Sequence, residues 1–243
     1  MRQNPSRRGT FAALCALTAI AAVGLTACQD KDDNASSTDG PPSATATAKR
    51  TPEPLTGDQL TKELAPASLF APGLAVDPSA TRDTGSSYQT QAVENPPKAP
   101  CSTLDTTGWM TITGISGVSF TQQDRFDKST TTEVYQGIDV FKGTTSTTVL
   151  DKLSRIADRC PSFTDDQTHT KVKVTVKPLP GIGDGAYKVT LSCPGWQSGN
   201  TLIAARVGTA VVSVLSTDGS AGDGSGTAKK VAAHIAAGLK GKA

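Results

Sequence analysis

The chain has 243 residues, with 24 Lys and Arg against 22 Asp and Glu, a formal net charge of +2. That balance excludes a general phosphate-neutralising surface, so no nucleic-acid partner is expected. With two histidines and five cysteines in all, chemistry that depends on those side chains has few places to reside.

Arg2, Arg7 and Arg8 precede an apolar run, Phe11–Leu25, which closes on Leu25-Thr26-Ala27-Cys28. A basic start, an apolar stretch and small residues at its end are the three parts of an export signal. The 15 residues of the run are short for a spanning helix, which needs about 20. A polar, proline-bearing segment follows at once, so the run does not begin a core either. Leu-Thr-Ala-Cys resembles the lipobox of bacterial lipoproteins. The resemblance implies cleavage before Cys28, acylation of that cysteine with palmitate-type chains, and a protein held at the cell membrane on its extracytoplasmic face. Residues 1–27 would then be the signal peptide. Arg7-Arg8 fits twin-arginine export loosely, because Phe11 falls one position late, and ordinary secretion stays equally open. Loss of the three arginines leaves 21 basic against 22 acidic side chains. Membrane attachment is then expected from the acyl chains, two of which give stable anchoring.

Residues 28–54 hold the lipidated Cys28 and a Ser, Thr, Ala, Pro and Asp-rich segment without aromatic residues, Val, Ile or Leu. Such a segment cannot bury enough apolar surface to offset ordering entropy, so a disordered tether is expected, with a reach of about 30 Å. Residues 55–243 suffice for one ordinary domain.

Thr56-Gly57-Asp58-Gln59 has capping-box spacing, with Leu60 and Leu64 behind it, and predicts a short helix that ends before Pro66. The segment up to Tyr88, broken by Pro66, Pro72, Gly73 and Pro78, is expected to be irregular. Tyr88–Val93 reads as a strand, and Pro100-Cys101 opens a turn or short helix towards Trp109. Val118–Phe126 and Glu133–Phe141 read as neighbouring strands. In the second, Val134, Ile138 and Val140 share one face and Tyr135, Asp139 and Phe141 the other. Thr144–Cys160 changes period: Val149, Leu153, Ile156, Ala157 and Cys160 recur at helical spacing until Pro161. Lys171–Lys177, Ala186–Cys193, Thr201–Val207 and Thr209–Leu215 follow as strands joined by short turns, which argues for antiparallel pairing. Asp218–Gly226 is glycine-rich. A final helix carries Ala228, Val231, Ala232, Ile235 and Leu239, with Thr227 expected to cap it. The fold class expected is α+β, a mainly antiparallel sheet flanked by amphipathic helices.

Pro96-Pro97-Lys98-Ala99-Pro100-Cys101, a strand pair, a helix ending in Arg159-Cys160, a strand carrying Ser192-Cys193, then Val207-Gly208-Thr209-Ala210-Val211-Val212 and an alanine-rich helix form an ordered set. This order is similar to the extracellular sensor domain of actinobacterial transmembrane Ser/Thr kinases of the PknH type, which also occurs on stand-alone lipoproteins. The resemblance spans roughly residues 55–239. It implies a sheet flanked by helices around a cleft, and a ligand-binding or sensing module outside the cytoplasm. That family commonly has two disulfides, for which this chain lacks the cysteines. No kinase domain is present, so no kinase activity is implied. A structural lipoprotein that contacts envelope proteins without a small ligand is the alternative.

No enzymatic activity, cofactor or metal site is expected. His169 and His234 lie in no catalytic motif, and neither H-E-x-x-H nor G-x-S-x-G occurs. Gly181-Ile182-Gly183-Asp184-Gly185-Ala186 matches G-x-G-x-x-A by letters but leads into a strand, so it reads as a turn. Asp218 and Asp223 with Ser220 and Ser225 offer too few carboxylates for calcium. Lys171, Lys173 and Lys177 form a basic stripe that reads as a solvated strand face, with an anionic glycan or lipid headgroup as the functional reading. Cys15 leaves with the signal, and Cys28 is expected to be acylated. Cys101, Cys160 and Cys193 therefore allow one disulfide and three pairings in an oxidising compartment. Cys160 sits on the apolar stripe of its helix and Cys101 in an entry segment with little else to hold it, which favours Cys101–Cys160. Cys160–Cys193 is the competing pair.

Overall fold

The computed structural model describes residues 53–243 except 95–99, 106–111, 167, 195, 197–198 and 219–225. The expected signal, Cys28, Trp109 and most of the tether lie outside the described residues.

Helix α1, Gly57–Thr61, starts at the capping box: the Gln59 N–H donates to Thr56 Oγ1, and the Thr56 N–H donates to Gln59 Oε1 at 2.8 Å. Leu60 and Leu64 behind it are buried. The stretch expected to be irregular contains instead a nine-residue strand, β1, Ala75–Asp83. Its pairing with the next strand breaks between Asp77 and Arg82. Pro78 sits in that break, where it has no ladder hydrogen bond to lose, and the strand is at the sheet edge, where proline is tolerated. With every residue half-buried or exposed, β1 has no alternation to betray it. Conversely, Tyr88–Val93 is not a strand; Val93 makes one isolated bridge to Ile115.

The remaining elements are β2 (Ser119–Asp127), β3 (Thr132–Val140), α2 (Thr145–Asp158), β4 (Ser162–Thr164), β5 (Lys171–Pro178), β6 (Gly185–Ser192), β7 (Asn200–Val207), β8 (Ala210–Ser216) and α3 (Thr227–Leu239). The eight strands form one sheet in the order β1-β2-β3-β8-β7-β6-β5-β4, antiparallel at every pairing. The three-residue β4 was not anticipated; it is too short to show a period. β8 lies at the centre beside β3 because its sequence, AVVSVLS, is buried on both faces. A run without polar alternation suits only a strand covered on two sides. The α3 cap differs from expectation: Gly226, in extended backbone, is the N-cap, and Thr227 has already entered the helix.

Two cores lie on opposite faces of the sheet. On one, Val134, Ile138, Val140, Ile203, Val212 and Val214 meet Val231, Ile235 and Leu239 of α3, and Leu60 of α1. On the other, Tyr135, Phe141, Val172, Leu191, Leu202 and Leu215 meet Val149, Leu150, Leu153 and Ala157 of α2. Helix α3 packs on β3, β8 and β7, α1 on β1 and β2, and α2 on β5 to β8. Coverage is thus diagonal. Among the described residues, the α2 side of β1–β3 and the α3 side of β4–β6 have no helix seated across them.

The α1 side of β2 and β3 carries a polar network. Gln136, fully buried, accepts from the Ala65 N–H at 2.9 Å and donates to Gln123 Oε1 at 3.0 Å. The Arg125 guanidinium donates to Gln123 Oε1 at 3.1 Å and lies over the Phe70 ring, 4.5 Å from its centre. These bonds fix the chain after α1 to the sheet.

Candidate functional site

The side of β2 and β3 opposite α1 is rich in carboxyls. Strand alternation puts Glu133, Tyr135, Gly137 and Asp139 of β3 on one face. Register then sets Asp124 of β2 opposite Tyr135, and Asp77 of β1 opposite Asp124. Glu133 is a diagonal neighbour of Asp124, within reach of a long side chain. Like charges directly opposite one another destabilise a sheet, so this row is not there for strand pairing.

The electrostatics follow from burial. Asp124 has its carboxyl pushed up to about 8, first by burial and then by the charge of Glu133 and a hydrogen bond to it, with Asp77 adding to the effect. The same hydrogen bond lowers Glu133. Glu133 is nevertheless raised overall, chiefly by burial. Asp139 is pushed up to about 7 by burial alone. Tyr135 is held well above the usual phenol range by burial and then by Asp139. Burial thus raises Asp124, Glu133 and Asp139 together.

Gly137 gives the cluster its shape. A Cβ at this position would lie 2.5 Å from the Tyr135 hydroxyl oxygen and 3.1 Å from Ser213 Oγ. The missing side chain lets the Tyr135 ring lie along its own strand with its hydroxyl beside Ser213. Asp124 Oδ1 is buried with no hydrogen-bond partner. A buried, unpartnered acceptor costs about 1–3 kcal/mol, which a ligand donor would relieve. Among the described residues, no three His, Cys, Asp or Glu side chains converge closely enough to hold a metal ion.

The residues singled out in the sequence fall elsewhere. Cys101, which opens a 3₁₀ turn at Cys101–Asp105, is bonded to Cys160 with their Cα atoms 5.5 Å apart. Cys193 is a free, half-buried thiol, and its sulfur accepts from Thr170 Oγ1 at 3.3 Å. His169 is exposed in a tight turn with φ of 53°, and His234 is exposed on α3. Gly181–Asp184 forms the β5–β6 turn, in which Gly183 has φ of 56°. Asp218 follows β8, while Ser220, Asp223 and Ser225 lie outside the described residues. Lys171, Lys173 and Lys177 are exposed along β5. A depression of about 220 Å³ lined by Glu53, Pro54, Tyr88, Gln89, Val118 and Lys142 is below the size of an ordinary ligand pocket, about 300–1,000 Å³. No described helix is long and apolar enough to cross a membrane.

Sequence reasoning missed the carboxyl cluster because it missed β1, and with it Asp77. One signal was available: Asp139 shares a strand face with Tyr135 and Phe141, and an acid between two aromatics on an inward face is unusual.

Neither a family model nor a curated protein matches the chain. Among solved structures it is similar to the crystal structure of the extracellular domain of PknH from Mycobacterium tuberculosis. The TM-score is 0.51 at 13% identity, over 77% of this chain and 97% of that one. At this identity the likeness shows a shared fold.

Proposed function

We propose that this protein is a lipid-anchored, extracytoplasmic module that binds or senses a small ligand on the α2 side of β1–β3. The observation that carries the reading is the buried Asp124 carboxyl oxygen Oδ1, which has no hydrogen-bond partner among the described residues. A ligand offering an ammonium group or several hydroxyl donors would satisfy that oxygen and bring the carboxyls back towards ionisation. The fold shared with the extracellular domain of PknH and the lipobox-like Leu25-Thr26-Ala27-Cys28 support the placement outside the membrane. Cys28 is the acylated residue in this reading, with residues 1–27 removed. No catalytic role is assigned to the exposed His169 and His234.

The test is thermal shift of the chain from residue 28 onward, carrying Cys28→Ser, against linear polyamines and neutral polyols. At least one class should raise Tm by several degrees at pH 7, and Asp124→Asn with Glu133→Gln should abolish the rise. No shift with any probe would favour a structural lipoprotein that contacts envelope proteins. Anchoring is tested separately by palmitate labelling in cells, which Cys28→Ala should eliminate.

A further inference from the structure

The second uncovered half-face, the α3 side of β4–β6, is basic. Alternation places Lys171, Lys173, Thr175 and Lys177 of β5 on this face, opposite the side on which Val172 is buried against α2. Register adds Lys188, Thr190 and Ser192 of β6, because Lys177 stands opposite Lys188, Thr175 opposite Thr190 and Lys173 opposite Ser192. From β4 come Ser162 and Thr164. No carboxylate occurs among these residues. The two ion pairs among the described residues, Arg206–Asp184 and Lys242–Glu63, involve none of the four lysines.

Two observations speak against an indifferent solvated face. Lys177 and Lys188 are directly opposite each other, a like-charge pairing that destabilises a hairpin and that a Glu at either position would cure. Helix α3 extends the same charge. Its Gly238 flank faces α1, since a Cβ there would lie 2.6 Å from Glu63 Oε2. Lys229 is nine residues earlier, half a turn away in projection at 100° per residue, and so lies on the flank turned towards β6. A basic field results, four lysines and several hydroxyls on the strands with Lys229 on the helix beside them, on the opposite face and at the opposite end of the sheet from the carboxyl cluster.

We infer that this lysine face docks on the anionic headgroup surface of the bilayer to which the protein is tethered. The inference rests on the anchored reading above in one respect: a tether of about 30 Å keeps the domain close enough for a weak patch to engage at high effective concentration. Each lysine near an anionic surface raises partitioning about fivefold, too little for capture from solution but enough to orient a tethered domain. Docked this way, the protein turns its carboxyl cluster away from the lipid.

Co-sedimentation with vesicles tests this, using the chain from residue 28 onward with Cys28→Ser so that no acyl chain contributes. Vesicles of phosphatidylcholine with half phosphatidylglycerol should bind it at low salt, and binding should vanish at 500 mM NaCl. The variant Lys171→Ser, Lys173→Ser, Lys177→Ser, Lys188→Ser should bind at least roughly a hundredfold more weakly, and the four corresponding Arg replacements should retain binding with an unchanged Tm. Equal binding to pure phosphatidylcholine, no binding at low salt, or undiminished binding by the serine variant would overturn the inference. Binding to soluble polyphosphate but not to vesicles would overturn it in favour of an anionic polymer. Failure of the anchored reading shows separately, as absent labelling at Cys28.

Discussion

Replacing Asp124 by Asn keeps a hydrogen-bond partner for Glu133 and removes the titration. In the folded protein the Asp124 carboxyl is raised from 3.8 to about 8. A group whose pKa is higher folded than unfolded binds an extra proton in the folded state between those two values. Its effect is therefore greatest stability at and below about pH 4, a decline as pH rises towards about 8, and no further change above. Asp139, at about 7, and the raised Glu133 act in the same direction. A displacement of this size would correspond to about 6 kcal/mol at 1.36 kcal/mol per pH unit. Because the site is partly open to solvent, a measured difference of roughly 2 kcal/mol is expected. Urea unfolding at pH 5, 7 and 9 reads it out. Asp124→Asn should match the parent at pH 5 and exceed it by about 2 kcal/mol at pH 9, with an unchanged urea slope. Parallel pH profiles for the two proteins, or a parent that gains stability from pH 5 to 9, would refute the assignment of a buried, hydrogen-bonded pair.

Three further outcomes are expected from the packing. Replacing Cys101 and Cys160 by Ala opens a loop of 59 residues and should cost about 4 kcal/mol in denaturant unfolding, whereas Cys193→Ala should cost under about 1 kcal/mol because that thiol is free and half-buried. Gln136→Leu strands the buried Ala65 N–H and should lower stability by about 1–3 kcal/mol; a loss below about 0.5 kcal/mol would mean that water replaces the bond. Gly183→Ala must hold a side chain at φ of 56° with its Cβ 2.2 Å from the Arg206 carbonyl oxygen, so it should lower Tm by well over 5 °C, corresponding to more than about 2 kcal/mol.

Local rules made much of the chain legible. The capping box at Thr56 and Gln59, the 3.6 period of Val149, Leu153 and Ala157, and the alternation of Val172 and Val174 each depend on neighbours within a few residues, so sequence spacing alone determined them. The face assignment of Val134, Ile138 and Val140 against Tyr135 and Phe141 followed from the same period of two, and the two cores divide as it requires. The favoured cysteine pairing was readable because Cys160 continues a helical stripe whose direction the helix itself fixes. What depends on partners distant in sequence was not readable. β1 exists because β2 offers it an edge, and its proline, bulge and half-exposed residues leave no periodic trace. The cap of α3 falls at Gly226, one residue earlier than the threonine favoured by side-chain chemistry. Above all, the carboxyl cluster arises from register: β3 pairing with β2, and β2 with β1, brings Asp77, Asp124 and Glu133 together across 56 residues of chain. Burial by that tertiary arrangement, which no local pattern encodes, is what raises the carboxyls of Asp124 and Glu133.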